Sequence, residues 1–206
     1  MAKLFLWMQI QEVCVMKTML LTVATATFIS SFSLQGVDPL HAEIQNVCES
    51  EMISAARAYK VPLGVLYAVG LTETGRRNSL YPFALNIEGK SKFPPSAAAA
   101  LQDFRQARKS GKKLIDVGCM QINHYYHGDE FRSVEHMLEP RANVQYAARF
   151  LNDLRKRQGS WTMAVARYHA GPNNNPAQKR YVCRVITNMV ASGFGQWTEK
   201  SRNFCR

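Results

Sequence analysis

A lone carboxylate on an apolar helical stripe constrains this chain more than any other feature. Leu63, Leu66, Tyr67 and Gly70 recur at the i, i+3, i+4, i+7 spacing of one helix face, and Glu73 is the next step along it. Pro62 suits the first turn and Gly75 the stop, which predicts a helix over about residues 62–74. Two outcomes are open: the helix end frays and rolls Glu73 outward, or the fold holds an acid at the edge of its core. In the second case desolvation and the negative end of the helix dipole both oppose ionisation. Moving a glutamic acid from about 4.3 to roughly 6.5 takes about 3 kcal/mol of environmental bias, within reach of those two effects together. Such a group donates a proton near neutrality.

Three segments follow one another in order: Gly70-Leu71-Thr72-Glu73-Thr74-Gly75, Gly118-Cys119-Met120-Gln121-Ile122-Asn123 and Tyr168-His169-Ala170-Gly171. The first resembles the Glu-Ser-Gly segment carrying the catalytic acid of lytic transglycosylases of the soluble-lytic-transglycosylase type, relatives of goose-type lysozyme. The second resembles the Gly-Leu-Met-Gln-Ile signature of that family and the third its Tyr-Asn-Ala-Gly. The likeness spans about Cys48 to Gly171. The 86–90, 116–123 and 142–148 stretches look like a small exported subgroup with cysteine beside the Met-Gln pair.

The resemblance implies a lysozyme-like, mainly α (α+β) single domain with a small β element beside a cleft, peptidoglycan as substrate, and neither metal nor cofactor. It gives Glu73 the role of the acid. Gln121 would hydrogen-bond a sugar beside the scissile bond, with Met120 and Ile122 packing the cleft floor and Asn123 adding a polar group. Tyr168 would hold the reacting sugar near the acid, a core tyrosine being the alternative. Thr74 replaces serine and keeps a hydroxyl for the acetamido or peptide part of the substrate. His169 stands where the family has asparagine, so hydrogen bonding there should differ.

Glycosidases commonly use two carboxylates unless the acetamido group of the substrate takes the second role. No second acid stands out: Glu88, Asp116, Asp129 and Glu130 each have an ordinary solvated reading. The reaction expected is therefore cleavage between N-acetylmuramic acid and N-acetylglucosamine with closure of a 1,6-anhydro ring. A water-using muramidase and a catalytically silent wall-binding scaffold are the alternatives.

Met16-Lys17, the apolar stretch Met19 to Phe32 and Leu40-His41-Ala42 read as a secretory signal cut after Ala42, with Met16 an alternative start. Threonines and serines interrupt the apolar stretch, which is shorter than the ~20 residues a membrane span needs. Residues 43–206 then make one compact domain and are too few for two. The removed part holds Lys3, Lys17, Glu12 and Asp38, so the mature chain keeps the net charge of +11. That charge suits an anionic wall polymer better than nucleic acid, because the basic residues are scattered over faces and loops. A periplasmic or secreted place is expected, with a secretion, pilus, flagellar or conjugation machine as partner.

Cys48, Cys119, Cys183 and Cys205 remain in the mature chain, without metal-ligand spacing. They favour disulfides, and of three complete pairings Cys48 with Cys119 and Cys183 with Cys205 is preferred. A free buried thiol at Cys119 is the alternative.

Further elements follow from caps and periodicity. Helices are predicted from Gln45 to Tyr59, from Ser96 to Gly111 and from Trp161 to His169 after a Ser160 cap, with a last one from Pro176 to Ala191. The longest should open at Pro140 and bury Val144, Ala147, Ala148, Leu151 and Leu154. Short strands are expected at Pro82–Ile87, turned by Glu88-Gly89-Lys90, and at Leu114–Val117.

Overall fold

The computed structural model describes residues 39–76, 79–170 and 175–206, with side chains from residue 47 onward. The signal segment expected before Ala42 falls almost wholly outside the described residues. Helix α1 (Pro39–Ala58) begins ahead of the expected Gln45 and is followed by α2 (Leu63–Thr74). A small sheet and α3 (Ala97–Lys109) come next, then the short α4 (His124–His127), a 3₁₀ turn and α5 (Val134–Leu138). The longer α6 (Pro140–Gln158), α7 (Trp161–His169), α8 (Asn175–Ala191) and α9 (Glu199–Cys205) complete the chain. The architecture is mainly helical with a minor sheet, as the lysozyme-like reading expects.

Local chemistry sets these boundaries. Ser96, Ser133 and Ser160 each accept a hydrogen bond from a backbone N–H of the helix that they cap. Pro140 opens α6 and Gly159, at φ +78°, closes it. α6 is one residue shorter than α1, so it is not the longest helix, but its expected stripe is buried throughout.

The centre of the core belongs to α2. Val65, Leu66, Ala68, Val69, Gly70 and Thr74 are all buried, so the helix is enclosed well beyond the single predicted face. Gly70 permits this: a Cβ there would lie 2.5 Å from the Met52 terminal carbon and 3.0 Å from Leu80.

Strands β1 (Leu85–Ile87), β2 (Lys90–Lys92), β3 (Ile115–Val117) and β4 (Ile122–Asn123) form an antiparallel sheet in the order β2-β1-β3-β4. Glu88 and Gly89, both at positive φ, make the tight turn between β1 and β2. Alternation splits the sheet into two faces. Leu85, Val117 and Ile122 form a buried cross-strand row, and the next row reads Asn86, Asp116, Asn123. The expected strand from Pro82 is present only from Leu85, and Ser110 rather than Gly111 caps α3.

Two disulfides brace the helices. Cys48–Cys119 joins α1 to the turn before β4, and Cys183–Cys205 joins α8 to α9. The preferred pairing is therefore the one present, and Cys119 is not a free thiol. Because the sequence reading ended at Ala191, it missed α9; Thr198 and Ser201 mark it with reciprocal capping bonds.

Candidate active site

Beside the sheet lies a cleft of about 820 Å³ whose wall includes Glu73, Asp116, Gln121, Tyr126, Arg167 and Tyr168. It is the hollow among the described residues that holds the predicted acid. A second hollow of about 670 Å³, between α1, α2 and the end of α8, is largely apolar and has Glu49 as its acid.

Glu73 occupies the last turn of α2 and is half-buried, not rolled into solvent. Its Oε1 accepts a 2.5 Å hydrogen bond from the Tyr181 hydroxyl, and Tyr181 on α8 is only 1% exposed. Burial drives the Glu73 pKa up to about 7, against the pull of the Tyr181 bond; negative Asp116 raises it further and Arg184 lowers it. Desolvation thus leads, as the stripe implied, while the nearby carboxylate was not foreseen.

Asp116 corrects the solvated reading. It sits on β3 between Ile115 and Val117, so it points to the opposite face from those two buried residues and into the cleft. Asn123 Nδ2 donates to its Oδ1 at 2.7 Å, yet burial still holds its pKa above the ordinary value. Of the other acids, Glu88 pairs with Lys112 and Glu130 with Arg149 at the surface, and Asp129 is exposed, as expected of solvated residues.

The Met-Gln segment is a strained turn held by its surroundings. Gly118 adopts φ +80° and Gln121 φ +47°, a left-handed state that costs a non-glycine residue about 1 kcal/mol. Gln121 Nε2 donates to the carbonyls of Ala84 and Gly118 at 3.1 and 3.0 Å. Its amide hydrogens are thereby used, which leaves Oε1, an acceptor. Asn143, fully buried on α6, accepts from Met120 N and donates to the carbonyls of Val117 and Met137. A Cβ on Gly118 would lie 2.7 Å from the Asn143 amide, so only glycine fits against it.

Other expected site residues divide between cleft and scaffold. Tyr168 lines the cleft, packs on Phe150 and donates to Met120 O at 2.8 Å; Glu73 is near enough to raise its pKa. His169 lies flat on Tyr181 with ring centroids 4.2 Å apart, and burial followed by Arg184 lowers its pKa, which favours the neutral ring. Asn123 reaches the cleft but is occupied twice, holding Asp116 and capping α4 through Tyr125 N. Thr74 departs from expectation. It is 3% exposed and donates to Cys119 O at 3.0 Å, so its hydroxyl ties α2 to the Met-Gln turn rather than meeting substrate.

Sequence reasoning missed Tyr181, which falls within the helix predicted from Pro176 to Ala191. The available signal was its hydroxyl, since a buried tyrosine normally finds a hydrogen-bond partner. Asn143 carried a similar signal, a polar side chain next to the buried stripe of α6.

A half-buried acid held near neutrality beside a polar sheet row, in a lysozyme-like domain, points to a glycan-cleaving class of protein. The family model described as the transglycosylase SLT domain matches residues 51–188, two thirds of the chain, and the chain belongs to this family. It is accordingly a lytic transglycosylase, a glycan-cleaving lyase acting on peptidoglycan. No curated protein and no solved structure matched the chain.

One expected result concerns Tyr181. With Glu73 read as the proton donor, only its acid form is active, and activity should fall as pH rises through about 7. Tyr181→Phe removes the hydrogen bond that stabilises the carboxylate, which should move this alkaline limb of kcat/KM to higher pH. A limb that stays in place or moves down would show that Tyr181 does not tune the acid.

Proposed function

We propose that Glu73 protonates the glycosidic oxygen between N-acetylmuramic acid and N-acetylglucosamine while the acetamido oxygen of the muramoyl residue attacks its anomeric carbon. The leaving sugar takes the proton and a cyclic oxazolinium forms. Glu73, now a carboxylate, accepts the proton of the 6-hydroxyl as that oxygen attacks the anomeric carbon, which opens the oxazolinium and closes the 1,6-anhydro ring. One carboxyl group serves both steps, and a pKa near 7 suits both directions of proton transfer. The observation that carries the reading is the acid that α2 presents to the cleft, its Oε1 held by the Tyr181 hydroxyl. Gln121 Oε1 accepts from the bound sugar, and Tyr168 confines the reacting ring. Asp116 adds a negative charge that favours protonated Glu73 before the reaction and the cationic oxazolinium during it.

Asp116 also supports a second reading, in which it positions a water molecule and the product is a reducing end. Mass spectrometry of digests of purified peptidoglycan separates the two. Muropeptides ending in 1,6-anhydro-N-acetylmuramic acid are expected, since a hydroxyl held beside the reacting carbon outcompetes water by its high effective concentration. Reducing ends in their place would establish hydrolysis.

Export to the periplasm or beyond is supported by the leader-like start and by two disulfides, which persist in oxidising compartments. Among the described residues no helix is long and apolar enough to cross a membrane. The likeness to the small exported subgroup supports local opening of the wall for a secretion, pilus, flagellar or conjugation machine.

A further inference from the structure

Arg167 is the residue among those described whose buried side-chain nitrogens lack a partner, and it lies in the cleft. It sits on α7 immediately before Tyr168. Its Nε and Nη1 are shut away from solvent and meet no acceptor. The ion pairs found among the described residues do not include it. Neither cleft carboxylate answers it: Tyr181 and Arg184 act on Glu73, and Asn123 holds Asp116.

Buried donors left without an acceptor destabilise the free protein. A position that serves stability alone gains by losing them, whereas a ligand acceptor turns the same penalty into binding. Carboxylates suit this best, through short charge-assisted hydrogen bonds. Peptidoglycan supplies them selectively. Its sugar rings and acetamido groups are neutral, and its anionic groups hang from the muramoyl residue alone, either as the free lactyl carboxylate of a peptide-free strand or as the carboxylates of the stem peptide.

We infer that Arg167 binds a carboxylate borne by the muramoyl residue and so selects that residue over N-acetylglucosamine and sets the register of the strand in the cleft. The inference rests on the proposed peptidoglycan reading of the cleft. Arg167 is not among the groups that shift the Glu73 pKa, so it acts as a specificity-determining contact and not in proton transfer.

Two measurements test it. Calorimetric binding of peptide-bearing strands, amidase-stripped strands and chitooligosaccharide is compared between Glu73→Gln and Glu73→Gln/Arg167→Met proteins, and thermal melting between the wild type and Arg167→Met. Arg167→Met should weaken binding of muramoyl strands about 10- to 100-fold and leave chitooligosaccharide unchanged. The melting temperature should hold or rise, because a desolvated charge is gone. Loss confined to stripped strands identifies the lactyl carboxylate as the ligand; loss confined to peptide-bearing strands identifies the peptide. Equal affinities of the two proteins for all three ligands, or an equal loss on the neutral oligomer with a lowered melting temperature, would overturn the inference. Binding needs no turnover, so a wild type that releases no anhydro ends defeats the proposed reaction without deciding this contact.

Discussion

Glu73→Gln is expected to reduce release of soluble fragments from purified peptidoglycan by about 10²–10⁴-fold, the usual loss when a general acid-base group is removed. The amide keeps the shape of the carboxyl group but has no proton to transfer, so strand binding should survive in a sedimentation assay. Stability should move the other way. The folded pKa of Glu73 is raised, to about 7, so its stabilising contribution is full below the ordinary carboxylate value of 4.5 and is lost as pH climbs through 7. Above that point the wild type holds an ionised carboxylate in a desolvated site, and the variant does not. Glu73→Gln should therefore melt higher than wild type in alkaline buffer, with the gap closing toward pH 4.5. Full lytic activity in this variant would mean that another group is the acid. A lower melting temperature at high pH would mean that the site is not desolvated.

The second large effect is on stability. Removing the Cys48–Cys119 bridge frees a loop of 71 residues, and the chain-entropy account puts the cost at about 4 kcal/mol. For a domain of this size that corresponds to roughly 10 °C in melting temperature. Cys183–Cys205 closes only 22 residues and should cost about 3 kcal/mol when removed. Both Cys48 and Cys119 are wholly buried, so the double alanine variant is the cleaner comparison. Activity should respond more sharply to the first bridge as well. Cys119 is flanked by Gly118, whose carbonyl holds Gln121, and by Met120, whose carbonyl holds Tyr168, so loosening that turn loosens the cleft wall. Should thermal scans show the shorter loop to be the costlier one to open, the entropy account fails and local packing governs.

Elements whose signals are local were legible in the sequence. Serine caps, Pro140 and Gly159 bound their helices where the chain predicts them, and the apolar stripe of α6 is buried as read. Glu73 was legible because a charge on an apolar stripe conflicts with its neighbours. The rest depended on distant partners. Asp116 reads as a solvated acid until Asn86 and Asn123 fall beside it in one sheet row, a register that pairing alone decides. Thr74 reads as a site hydroxyl because its motif is exposed in outline, yet Cys119, 45 residues on, takes its hydrogen bond. Arg167 looks like any basic residue of a surface helix until burial leaves its nitrogens without acceptors.

The bond between Tyr181 and Glu73 ties together residues 108 positions apart. In a chain that has not yet folded, Glu73 is an ordinary carboxylate with an ordinary affinity for its proton, fully ionised at neutral pH. A nascent or threaded chain is thus chemically harmless to a glycan, because the acid comes into being only when the fold closes over Glu73. Lytic capacity is a property of the completed domain, and a chain that has yet to finish folding is kept inert by the same physics that later arms it.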